Sequence, residues 1–90
     1  QNQGYAILKA VMLENGRGIC IGRASHRASR YVTWACYDDK DGLRQYEWGH
    51  YGNDRTAMEQ DFTDRVQDYQ RIYNVGIRQM LGIRKTVFEK

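Results

Sequence analysis

Apolar and polar positions alternate through four stretches of the first half of the chain, then give way to a three- and four-residue rhythm. Residues 5–13 (Tyr-Ala-Ile-Leu-Lys-Ala-Val-Met-Leu) contain no turn residue and are long enough for a strand; Tyr5, Ile7, Val11 and Leu13 share one parity, which Lys9 breaks. Glu14-Asn15-Gly16-Arg17 follows. Asn-Gly is a strong hairpin signal because a type I′ turn needs positive φ at both central residues. Residues 18–23 return as a second strand with Ile19 and Ile21 on one face, and Gly22 is expected to mark a bulge or a close backbone approach.

Residues 24–30 (Ala-Ser-His-Arg-Ala-Ser-Arg) have no strand pattern and read as a polar, basic loop. Residues 31–37 are β-branched and aromatic, the strongest strand signal in the chain, with Val32, Trp34 and Cys36 on one face and Tyr31, Thr33, Ala35 and Tyr37 on the other. An acidic turn ending in Asp41-Gly42 leads to a fourth strand over 43–51. Strict alternation there puts Tyr46, Trp48 and His50 on one face and Glu47, Gly49 and Tyr51 on the other.

Gly52-Asn53-Asp54 interrupts the sheet pattern. Thr56 and Glu59 fit a capping box, with Asn53 and Asp54 as competing caps. Ala57, Met58, Phe62, Val66, Tyr69, Ile72 and Tyr73 then form an apolar helical stripe, and Asn74 or Gly76 ends it. Beyond this, Ile77, Met80, Leu81 and Ile83 suit a short helical turn, and Thr86, Val87 and Phe88 suit a short fifth strand.

Short turns make sequential strands antiparallel neighbours, and one helical stripe covers one sheet face. The expected fold is α+β: a four-stranded antiparallel sheet of two hairpins, then one amphipathic helix packed on one face, with a short C-terminal extension. One domain over residues 1–90 is expected, with its core in 5–74 and the extension in 75–90. The second sheet face must be solvated, covered by the C-terminal segment or engaged with a partner.

Ninety residues, 41% of them hydrophobic, supply one core and little material for an enclosed cavity, so a groove or flat face is the expected working part. The net charge of +3 is uneven: residues 1–37 carry five basic and one acidic side chain, 38–54 two and five, 55–74 three and four, and 75–90 four and one. Such a balance permits an anionic partner without demanding one. Two cysteines are no disulfide framework, and no apolar run reaches the roughly 20 residues of a membrane span. The expected compartment is the cytoplasm; the chain opens on Gln1 rather than Met, which leaves room for a removed N-terminal piece.

Two constellations carry candidate binding chemistry. The basic loop offers Arg23, His26, Arg27 and Arg30, beside strand aromatics Tyr31, Trp34, Tyr37, Tyr46, Trp48 and Tyr51. Cations interleaved with stacking rings suit single-stranded nucleic acid. The competing reading is a solvated loop beside an ordinary aromatic sheet. The second is Tyr46-Glu47-Trp48-Gly49-His50-Tyr51, in which Gly49 would admit a ligand or another chain between Trp48 and His50; core packing of Trp48 and a hydrogen-bonded His50 compete with that. Cys20, Cys36, His26 and His50 lack zinc-site spacing, so buried thiols and no metal or cofactor are expected. Asp38, Asp39 and Asp41 lack the full calcium-loop pattern, and no nucleophile elbow or phosphate loop is present.

Val11-Met12-Leu13-Glu14-Asn15-Gly16-Arg17-Gly18, Tyr31-Val32-Thr33-Trp34, Tyr46 to Tyr51, Ala57 through Asp61-Phe62 and Arg65, and Asp68-Tyr69 together resemble a known group. They are similar to small uncharacterised proteins encoded on conjugative transposons and related mobile elements of gut Firmicutes, over roughly residues 5–74. The resemblance implies a cytoplasmic accessory protein of a mobile element and transfers no activity or site residue. The expected function is therefore non-enzymatic binding to a protein partner, a second copy included, in modulation of host defence or of transfer. The alternative is a single-stranded nucleic-acid-binding module. Arg23, His26, Arg27, Arg30, Tyr31, Trp48 and His50 are the candidate binding residues.

Overall fold

The computed structural model describes residues 2–82. The hairpins form where the turn residues place them. Strand β1 (Ala6–Leu13) turns into β2 (Arg17–Arg23) through Glu14 and Asn15, the Gly16 amide donating to the Leu13 carbonyl at 3.0 Å; only Gly16 takes positive φ, at 83°, so the turn is not the expected type I′. Strand β3 (Tyr31–Asp38) turns through an Asp39 carboxylate that accepts from the Asp41 and Leu43 amides, each at 2.9 Å, into β4 (Arg44–Gly52). Helix α1 (Arg55–Tyr73) follows, and then strand β5 (Ile77–Leu81). The sheet order is β4-β3-β2-β1-β5, antiparallel at every step.

The sheet therefore has five strands rather than four, and the segment expected to form a helical turn is a strand. Asn74, in the left-handed region, ends the helix and turns the chain back. Glu14 then fixes the returning segment, its amide donating to the Gly76 carbonyl at 3.0 Å and its carboxylate accepting from the Gly76 amide at 2.7 Å. Ile77 and Met80 are three apart and look helical, yet they lie opposite Leu13 and Val11 on one sheet face because Arg78 is an inserted bulge residue. The extended Arg78 side chain reaches Asp38 at 3.5 Å, and Arg44 holds the same carboxylate at 2.9 Å. The strand expected at 86–88 lies outside the described residues.

A second inserted residue, Leu8, resolves the broken parity of β1. Before it, Ile7 faces away from the helix; after it, Val11 and Leu13 face the helix. Lys9 shares their side at its margin, where it pairs with Glu59 of the helix at 3.1 Å. That pairing also occupies the glutamate of the expected capping box. Asp54 is the cap instead, accepting from the Ala57 amide at 3.2 Å.

Two apolar layers result. Met58, Phe62 and Val66 of the helix, four residues apart, pack with Tyr69 on Val11, Leu13, Ile19, Ile21, Tyr31 and Ala35. Burying each such side chain contributes about 1.5–3 kcal/mol before entropy. Ile72, placed in the stripe by sequence spacing, is exposed, as are Ala57 and Tyr73. The opposite sheet face is buried within the chain as well: Ala10, Met12, Cys20, Val32, Trp34 and Cys36 are closed from solvent, with Tyr5 and Tyr46 among their neighbours. Tyr5 crosses Gly22, where a Cβ would meet the Tyr5 Cβ at 3.1 Å, so this glycine marks a close approach.

Candidate functional site

The site of interest arises where the alternation of β4 fails. Thr33 faces His50 and Ala35 faces Glu47, so two residues of β3 span three of β4. The insertion falls at Trp48-Gly49, opposite Trp34. Its effect is to regroup the strand: Glu47 and His50 face the helix, while Tyr46 and Tyr51 face away, opposite Cys36 and Val32. Trp48 and His50 thus do not share a face with Tyr46. Trp48 points out from the edge strand, 73% exposed, with its backbone at φ 55°. A bulky residue in that region is a rare conformation, and its Cβ crowds the following carbonyl at a cost of about 1–2 kcal/mol.

Side chains from three elements hold the bulge. A bulge takes backbone groups out of the ladder, and those groups need other partners. Arg65 supplies them: Nη2 donates to the Trp48 carbonyl at 2.8 Å, and Nη1 donates to the Thr33 carbonyl and to Thr33 Oγ1, each at 3.0 Å. The Thr33 hydroxyl, fully buried, donates to Asp61 Oδ2 at 2.5 Å, and His50 Nδ1 lies 3.0 Å from the same oxygen. Burial raises the Asp61 carboxyl, but the Thr33 and His50 hydrogen bonds and the His50 and Arg65 charges outweigh it and hold the group below its ordinary range. Asp61 stands between Thr33 and His50, so the hydroxyl donates to the carboxylate rather than to the imidazole. Such an order ties the helix to the bulged strand pair.

The other candidate residues divide cleanly. Arg23, His26, Arg27 and Arg30 all lie exposed at the β2–β3 loop and are brought together there. Tyr31 is not part of that group: only 8% exposed, it belongs to the core beneath the helix. Nor are the strand aromatics one stacking surface, since Trp34 is buried in a T-shaped contact with Tyr5, ring centroids 5.5 Å apart. Tyr51 is half exposed beside Tyr5, at 6.2 Å. The loop is closed by the Ala24 amide donating to the Arg30 carbonyl at 2.8 Å. It is anchored by the Tyr5 hydroxyl on the Ser29 carbonyl at 2.6 Å and by the Arg30 amide on Asn53 Oδ1 at 2.7 Å.

Cys20 and Cys36 are buried free thiols on the face away from the helix, and His50 is on the other face. The neighbouring Cys36 thiol, together with burial, pushes the Cys20 thiol up. Among the described residues no group of three or more His, Cys, Asp or Glu side chains is placed to hold a metal ion. No helix among them is long and apolar enough to cross a membrane.

Thr33, Asp61 and Arg65 are the site residues that sequence spacing did not single out. Asp61 and Arg65 are four apart on the helix, on the flank of the Phe62 and Val66 stripe, and Thr33 has the helix-facing parity. Those positions are the signal that points to them. Comparison with protein-family models, curated proteins and solved structures found no match to this chain.

Proposed function

We propose that this chain is a non-enzymatic binding module that engages a protein partner at the edge of β4, with Trp48 as the anchoring side chain. The observation that carries this is the combination at Trp48 of a strained backbone and a ring left 73% exposed. Either glycine or asparagine would suit the backbone better, and a polar side chain would suit the exposure better. The ring, 73% exposed, gains little packing from the described residues, whereas a partner that buries it offsets the strain. Strain of this kind gathers at functional positions, and tryptophan is enriched among the few interface residues that dominate binding energy. The Arg65 clamp supports the same reading, because a ring held on a fixed backbone loses less entropy on docking.

The mobile-element setting, the cytoplasmic location and a role in host defence or transfer belong to this proposal through the sequence resemblance. The test uses wild-type and Trp48→Gly chains as paired baits in host extract, with Tyr73→Ala as an exposed aromatic control. A partner kept by wild type and Tyr73→Ala but lost by Trp48→Gly is the expected result. Acrylamide quenching of Trp48 should fall when that partner is added. Retention by all three baits would overturn the assignment of Trp48. Light scattering distinguishes a second copy of the chain as the partner.

A further inference from the structure

The arginines of the described residues differ in what surrounds them. Arg44 and Arg78 pair with Asp38, Arg55 with Glu59 and Arg71 with Asp68. Arg65 is committed to the bulge, and Arg17 lies over the Tyr73 ring at 5.5 Å. Among the described residues, no carboxylate lies within ion-pair distance of Arg23, Arg27 or Arg30. These three sit exposed with His26 within eight residues, on a loop whose closure and anchors use its own backbone groups with the Tyr5 and Asn53 side chains. The Arg27 side chain donates to the Gln3 carbonyl and lies over the Tyr5 ring.

Like charges held this way repel one another, and an anion removes that repulsion. A surface cavity of about 460 Å³ opens at the spot, lined by Arg23, Ser25, His26 and Arg27 with Gly4 and Ala6. Tyr5, under Arg27 of this cavity, has the half-exposed ring of Tyr51 as a neighbour, centroids 6.2 Å apart. The Tyr51 ring lies over Gly49, where a Cβ would meet it at 2.8 Å, so the glycine leaves room for the ring. Cations along an open groove with an aromatic face beside them follow a phosphate backbone and stack its bases.

We infer that the Arg23-to-Arg30 loop and Tyr51 form a binding site for single-stranded nucleic acid, separate from the Trp48 edge. Open, exposed cations favour a polymeric polyanion over a single phosphate, which an enclosed site would hold better. The side chains that carry it are Arg23, Arg27 and Arg30 for phosphates and Tyr51 for one base. The strand aromatics Tyr31 and Trp34 take no part.

Fluorescence anisotropy of the full chain with a labelled oligothymidylate tests this. Three neutralised phosphates give a slope of log affinity on log salt near −2, at about 0.7 for each. The Arg23→Gln/Arg30→Gln variant should lose most of that slope. Tyr51→Leu should weaken binding roughly tenfold at an unchanged slope, as loss of one stacked base does. Trp48→Gly should leave affinity within twofold, which separates this site from the proposed protein-binding edge. Circular dichroism and melting of each variant establish that it folds. No binding at the lowest salt, binding that survives the double substitution, or loss of binding in Trp48→Gly overturns the inference. So does displacement by inorganic phosphate at equal phosphate concentration, which makes the site one for small anions, or equal affinity for a phosphopeptide of matched charge. A duplex that binds as tightly as the single strand removes the role of Tyr51 and overturns it too.

Discussion

Trp34 lies opposite the Trp48-Gly49 bulge in one strand pair, and the circumstances of the two tryptophans are opposite. Trp34 is 2% exposed, packed edge-on against Tyr5 with Tyr46 at its other side. Trp48 is turned to solvent on a backbone conformation that tryptophan avoids. The same side chain is a structural element in one strand and, in our reading, a contact element in the next. What separates them is register alone, since regular alternation past Tyr46 would bring Trp48 to the side where Trp34 is buried.

Four measurements can break or sharpen that contrast. The largest effect is expected for Trp34→Ala, which should cost about 3–5 kcal/mol in urea unfolding through the cavity it leaves. A cost below 1 kcal/mol would mean that Trp34 is no core residue. Arg65→Met keeps the aliphatic stem but leaves the Trp48 and Thr33 carbonyls without their donor. About 1–3 kcal/mol should be lost, with faster amide exchange around the bulge.

Acid titration follows in size. Because the Asp61 pKa is depressed in the fold, its contribution is fully present above the ordinary value of 3.8 and is lost as the pH falls through the lower folded value. Wild type should therefore lose more stability than Asp61→Asn on going from pH 5 to pH 2, Asp38 and Glu59 contributing equally to both. The smallest expected effect is that of Trp48→Gly. Relief of about 1–2 kcal/mol of strain exceeds the roughly 0.5–1 kcal/mol of added freedom in the unfolded chain, so the variant should be as stable as wild type or slightly more so. A loss of more than 1 kcal/mol would show that the ring packs after all.

The turns and the helix could be read directly because their signals are local. Asn15-Gly16 and Asp41-Gly42 fix the hairpins, Met58, Phe62 and Val66 recur at helical spacing, and Asn74 ends the helix in the left-handed conformation. The basic loop could be read for the same reason, since its four residues are neighbours in the chain. Alternation, in contrast, assumes two residues per repeat without exception. Leu8, the Trp48-Gly49 step and Arg78 each add one, and each addition exchanges the faces beyond it. Hence Lys9 looked out of place, His50 was grouped with the wrong neighbours, and Ile77 and Met80 looked helical. The Thr33, Asp61 and Arg65 cluster needed knowledge of which strand lies under which turn of the helix, and no local pattern carries that.

The pairing of β5 with β1 has a consequence for the order in which the molecule is made. Among themselves, strands β1 to β4 join only to sequence neighbours, so each hairpin can close as it leaves the ribosome. The last pairing joins Leu13 to Ile77 and must wait for the whole helix, and closing so long a loop is slow. Until then the outer edge of β1 is an unpaired template, open to any strand that arrives first. The sheet is thus sealed along β1 by a segment made only after the whole helix. A growing chain passes through a stage in which a strand whose second half is buried in the finished fold is also an open, adhesive edge.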